Sequence, residues 1–175
     1  IDTTEVTAPN SAAVNSDPEM HETSASSGLF AYPASAQQQQ LWFIDQLHPG
    51  NPAYNIPLAY ELRGRVDLSA MNRSLQWLVD RHENFRTRFG VRDGTLMQLV
   101  DAERPVEFRV MDLAGQGSAS EETWRKEVAK EARHQFDLAE GPLIRGLVIK
   151  LGAERHVLLF NCHHAILDHR SVLQM

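Results

Sequence analysis

Two apolar runs near the C-terminal end, LIRGLVIKL at residues 143–151 and HVLLFNC at residues 156–162, are separated only by the turn residues GAER. Short runs rich in Leu, Val and Ile and bounded by turn residues read as adjacent strands, and such a pair has to be covered on its apolar faces. A chain built this way must therefore supply layers for a sheet. The second run continues into NCHHAILDHR, residues 161–170, which sets three histidines and an aspartate just beyond the sheet.

The covering elements are legible upstream. Ser35 followed by Gln38 is a capping-box pattern opening a helix in which Leu41, Trp42, Ile44 and Leu47 share one side. HPGNPAYNIP ends that helix, and IPLAYELRG follows as a strand with Ile56, Leu58 and Tyr60 on one face. A second helix starts at Asp67, with Leu68, Met71, Leu75 and Leu78 at helical spacing. TLMQLV and VEFRV are short strands. Gly115 and Gly117 break the chain, and Ser118 with Glu121 caps a third helix whose acids come early and bases late, as the helix dipole favours. The order of elements gives an α/β (α+β) two-layer sandwich, a sheet covered by helices. SVLQM at the end reads as the first turn of a helix capped by Ser171, so the chain is expected to be a piece of a longer polypeptide.

Residues 1–28 hold few large apolar side chains and many Ser, Thr, Ala and Asn, too little to offset chain entropy, and read as a flexible linker or tail. Residues 29–175 form the folded unit. The 175 residues carry a net charge of −6 and no basic block, which argues against nucleic acid. No apolar run reaches the roughly 20 residues of a membrane helix, and the acidic, polar N-terminus lacks the order of a secretion signal. One cysteine, Cys162, excludes an internal disulfide and agrees with a reducing compartment. A cytoplasmic location is the expectation.

Three chemistries compete for NCHHAILDHR. HAILDH, residues 164–169, matches the zinc-hydrolase pattern H-x-H-x-D-H at every position except Ile166, which removes a central ligand; no metal is expected. Cys162 as a nucleophile would need a base; its neighbour His163 points to the other face of the strand, which leaves His164, and a lone Cys on an apolar strand is more commonly packing. The third reading is proton transfer, with one histidine turned inward and the next into a cleft. Histidine suits that work because its ordinary pKa, about 6.5, lies near neutrality. The segment by itself fits a purely structural role equally well.

Four stretches in order resolve this. SAQQQQLWFIDQL resembles the motif S-x-A-Q-x-R-L-W-x-L, with Gln in place of Arg before Leu41 and Trp42; RHENFRTRF, residues 81–89, resembles R-H-E-x-L-R-T-x-F, with Phe85 for Leu. FDLAEGPLIRGLV from Phe136 is similar to F-D-L-x-x-G-P-L-x-R, and HHAILDH resembles H-H-x-x-x-D-G, with His169 in place of glycine. Over about residues 32–175 the chain resembles the condensation domain of nonribosomal peptide synthetases, within the chloramphenicol-acetyltransferase-like superfamily of acyltransferases.

That resemblance implies a domain of two similar lobes around a tunnel, of which this chain is the N-terminal lobe. The partners it implies are donor and acceptor peptidyl carrier proteins, adjoining modules of the assembly line and a C-terminal lobe. Their 4′-phosphopantetheine arms act as substrate tethers, and the domain itself binds no cofactor. It implies that His164 is catalytic and His163 supports it, while Asp168 holds the loop through an arginine, Arg86 first and Arg81 second. His169 and Ser171 fall on the tunnel or acceptor side. The reaction implied joins a carrier-bound acyl or peptidyl thioester to an amine, or in some relatives a hydroxyl. Two alternatives stay open: a silent domain of the same fold that only recruits carriers, and another acyltransferase using the shared H-x-x-x-D core.

Overall fold

The computed structural model describes residues 29–117 and 119–167. The expected tail at 1–28, the Ser118 cap and the turn after Ser171 lie outside the described residues, as do Asp168 and His169.

The element order is β1 (Leu29–Pro33), α1 (Ala36–Leu47), β2 (Asn55–Arg63), α2 (Leu68–Arg81), β3 (Thr87–Arg92), β4 (Thr95–Asp101), β5 (Glu107–Asp112), α3 (Ala119–Ala132), β6 (Ile144–Lys150) and β7 (Arg155–His163). Short 3-10 turns at Pro52–Tyr54 and Glu83–Arg86 lead into β2 and β3. The capping box is formed as expected: Ser35 Oγ accepts from the Gln38 N–H and the Gln38 side chain accepts from the Ser35 N–H. Asp67 caps α2 by accepting from the Ala70 N–H.

The α+β class and the antiparallel β6–β7 pair agree with the sequence reading. The strands, however, divide into two sheets. An antiparallel sheet of order β1-β4-β3 stands apart from a four-stranded sheet of order β2-β7-β6-β5, in which only β5 and β6 run parallel, joined by α3. A parallel neighbour requires such a crossover. β1 and β3 were not legible as strands. β1 is short, and its Phe30 and Tyr32 stay largely exposed. β3 begins inside the RHENFRTRF motif and runs three residues past it; the signal that marks it is Asp93-Gly94, both at positive φ, the two-residue turn of the β3–β4 hairpin.

Alternation along β6 and β7 gives the larger sheet two covered faces. On one, Leu147, Ile149, Val157 and Leu159 pack with Trp124 and Val128 of α3. On the other, Ile144 and Cys162 join Leu75 and Val79 of α2, Leu41 of α1 and Phe85 and Phe89 near the smaller sheet in one cluster. Leu47, placed by its spacing on the inner side of α1, is 59% exposed, because α1 leaves the core at its C-terminal end. No helix among the described residues is long and apolar enough to cross a membrane.

α2 lies so close to β6 that a Cβ at Gly146 would come within 2.9 Å of both Leu75 Cδ2 and Phe108 Cδ2, whereas one at Gly152 would meet nothing within 4 Å. Gly146→Ala is expected to destabilise the fold by about 1–3 kcal/mol through overpacking. Gly152→Ala should change it by less than about 0.5 kcal/mol, and urea unfolding of both variants compares them.

Candidate active site

β7 is the strand that delivers the histidines. Its ladder with β6 ends at the pair Ile144 and Cys162, and its ladder with β2 ends at Asn55 and His163. One further bond then forms on each side: the His163 N–H donates to the Leu143 carbonyl at 3.0 Å and the His164 N–H to the Tyr54 carbonyl at 2.9 Å. The chain turns immediately, with the Ile166 N–H donating to the His163 carbonyl. Ala165, Ile166 and Leu167 are buried, so the loop leaving the site is packed into the core.

The two histidines have different surroundings. His163 is 3% exposed, its ring between Tyr54 and the edge-on ring of Phe136, and its Nδ1 accepts from the Ala165 N–H at 3.1 Å. Burial, with the neighbouring His164, lowers its pKa to about 4. The ring is neutral near pH 7, and with Nδ1 accepting, the ring proton sits on Nε2. His164 is half-buried; its Nδ1 is shielded from solvent and has no hydrogen-bond partner among the described residues. A half-buried imidazole at a strand end held from both sides can accept or deliver a proton at a fixed point.

Cys162 is packing. It is 2% exposed, burial raises its thiol pKa to about 12, and its sulfur faces the Ile56 carbonyl at 3.8 Å. Among the described residues no group of three or more His, Cys, Asp and Glu is placed to hold a metal ion.

The floor of the site is polar and tied to α3. Asn161, fully buried, donates to the Glu131 carbonyl, and Asn55 donates to the Ala132 and His134 carbonyls, so both satisfy acceptors at the end of that helix. The buried Glu131 carboxylate receives Arg145 and Arg109. Burial would raise its pKa, but the hydrogen bond from Arg145 and the charges of Arg145 and Arg109 bring it below the usual carboxylate range.

Of the arginines singled out from the sequence, Arg86 is half-buried and donates to the carbonyls of Val79, Asp80, Asp101 and Ala102, joining the end of α2 to the end of β4. Arg81 is exposed and lies over Trp77, 5.6 Å from the ring centroid. His163 and His164 are brought together on the strand end, whereas Asp168, His169 and Ser171 fall outside the described residues. Tyr54 and Gln98 were not legible as site residues: one acts through its carbonyl, the other through a side-chain hydrogen bond from Gln38, 60 residues away in the chain.

The sequence profile of the family described as Condensation domain matches residues 30–173. The chain belongs to the condensation domain family. It is 42% identical over 141 residues to one of the linear gramicidin synthase proteins of Brevibacillus parabrevis, an alignment spanning 80% of this chain and 3% of that protein. To a second protein of the same synthase it is 40% identical over 143 residues, 81% of this chain and 2% of that one. The fold is similar to the starter condensation domain of rhizomide synthetase, with a TM-score of 0.73 at 23% identity over 82% of this chain and 35% of that chain. The chain thus spans a small fraction of its curated relatives.

The depressed pKa of His163 ties stability to pH. The unfolded chain binds the proton from about pH 6.5 downward and the fold only near pH 4, so the contribution is complete above about pH 6.5 and is lost as pH falls toward 4. The loss expected from this group is about 3 kcal/mol. His134, held low by burial and by Arg145, adds a slope of the same sign, so the test is a difference. His163→Asn, which keeps an acceptor for the Ala165 N–H, should flatten denaturation midpoints between pH 6.5 and 4 relative to the native sequence.

Proposed function

We propose that this chain forms the N-terminal lobe of a condensation domain that joins a carrier-bound acyl or peptidyl thioester to an amine, or a hydroxyl, on a second carrier protein. The observation that carries this reading is the division of labour at the end of β7: His163 buried and neutral, His164 half-buried on a braced loop. Family membership and the names of its relatives, peptide synthases, support the same chemistry.

In the reaction the amine nitrogen attacks the thioester carbonyl carbon, the carbon–sulfur bond breaks, and the proton lost by nitrogen ends on the departing thiol. His164 is the group placed to take that proton or to stabilise the charged intermediate. The rest is alignment, since holding two tethered reactants in register supplies much of the rate. The 4′-phosphopantetheine arms belong to the carriers and enter as substrate tethers. Asp168 is assigned to bracing the loop through Arg86. Among the described residues Arg86 donates to backbone carbonyls and is paired with no carboxylate, which leaves its charge for that role. Arg81, exposed on Trp77, is the weaker candidate. His169 and Ser171 are assigned to the tunnel or acceptor side, the C-terminal lobe and adjoining modules complete the site, and the setting is cytoplasmic.

In the complete synthetase, His164→Ala is expected to lower turnover by roughly 10²- to 10⁴-fold without unfolding the domain, measured as product formed with both carriers loaded. A native rate for that variant would refute the assignment. The 175-residue chain alone, given the same loaded carriers, is expected to form no product.

A further inference from the structure

The residue following His164 is held by both of its backbone polar groups. The Ala165 N–H donates to His163 Nδ1 at 3.1 Å, and the Ala165 carbonyl accepts from Gln38 Nε2, also at 3.1 Å. Gln38 lies in the first turn of α1, 127 residues away in the chain. Its second Nε2 hydrogen goes to Gln98 Oε1 of β4 at 2.9 Å, and its Oε1 accepts from the Ser35 N–H at 2.9 Å. One half-buried amide thus makes three hydrogen bonds, to the helix cap, the smaller sheet and the loop after His164. The network fixes its orientation, because a turned amide would set its oxygen against two other acceptors.

We propose that Gln38 is a positioning residue for the condensation step, acting through the Ala165 carbonyl to fix where the His164 ring stands. This rests on the assignment of His164 above. The helix cap needs only the oxygen of Gln38, while the loop needs its N–H groups. The two roles therefore separate chemically. Glutamate is an equally good third residue of a capping box, so Gln38→Glu keeps the cap. It replaces the donor to Ala165 by an acceptor, and the Gln98 amide can turn to meet the new carboxylate by giving up the exposed 3.3 Å bond from its Nε2 to the Pro33 carbonyl. Gln39 is the internal control: its Nε2 also donates to a backbone carbonyl, that of Ala34, with no link to the loop.

The experiment uses the complete synthetase with both carriers loaded. Gln38→Glu is expected to lower turnover by about ten- to a hundredfold, the scale of a slightly misplaced catalytic group. KM for either carrier and the thermal midpoint should stay near native, and Gln39→Ala should keep native turnover. Hydrogen exchange over residues 161–167 should quicken in Gln38→Glu and not in Gln39→Ala. Native turnover of Gln38→Glu alongside an inactive His164→Ala would overturn the positioning role and leave the His164 assignment standing. If His164→Ala itself turned over normally, that assignment would fail, and the exchange measurement would decide the clamp: quickened exchange supports it, unchanged exchange overturns it. Should Gln38→Glu not fold, Gln38→Ala, which keeps Ser35 Oγ on the helix, replaces it with the same expectations.

Discussion

β7 is hydrogen-bonded along both edges, to β2 from Asn55 to Arg63 and to β6 from Ile144 to Lys150, and the site depends on where those two ladders stop. Because the last bonds come from opposite sides, Leu143 taking the His163 N–H and Tyr54 taking the His164 N–H, the two residues are fixed before the chain turns away. Alternation does the rest. His163 continues the face that carries Asn161, under α3, while the loop after His164 folds into the cluster formed by α1, α2 and the smaller sheet.

The polar groups beneath the strand end serve the same purpose at higher cost. Asn55 and Asn161 satisfy the last carbonyls of α3, and Glu131 is held between Arg145 and Arg109, with Arg145 in turn paired to Glu107 of β5. Buried polar pairs add little net stability compared with apolar packing, but losing one member leaves the other unmatched. Such a network penalises any shift of α3 relative to β7 more sharply than apolar contacts alone would. Burial of His163 acts in the same sense: a neutral ring keeps Nδ1 available to Ala165, and protonation would turn that acceptor into a donor.

The part of the candidate site that the structure describes was legible in the sequence, because it is local. The two histidines, the strand that carries them and the turn that follows fall within a few residues, and the Ser35–Gln38 cap is a pattern of the same short range. Membership of the condensation domain family followed from four such local patterns and agrees with the profile match at residues 30–173. Arg86 was singled out from its motif, yet the contacts it makes, to carbonyls at the ends of α2 and β4, depend on chain reversals the motif does not encode.

The sequence by itself determined where the helices and the β6–β7 pair form, since periodicity, caps and turn residues act over one or two turns of chain. Only the tertiary structure decided which sheet each strand joins, that Leu47 faces outward and that β1 exists at all, because its pairing with β4 joins Leu29 to Asp101. It also decided which of two adjacent histidines is buried and neutral. Desolvation is a property of everything packed around a ring, here Tyr54, Phe136 and the loop at Ala165, and no spacing along the chain records it.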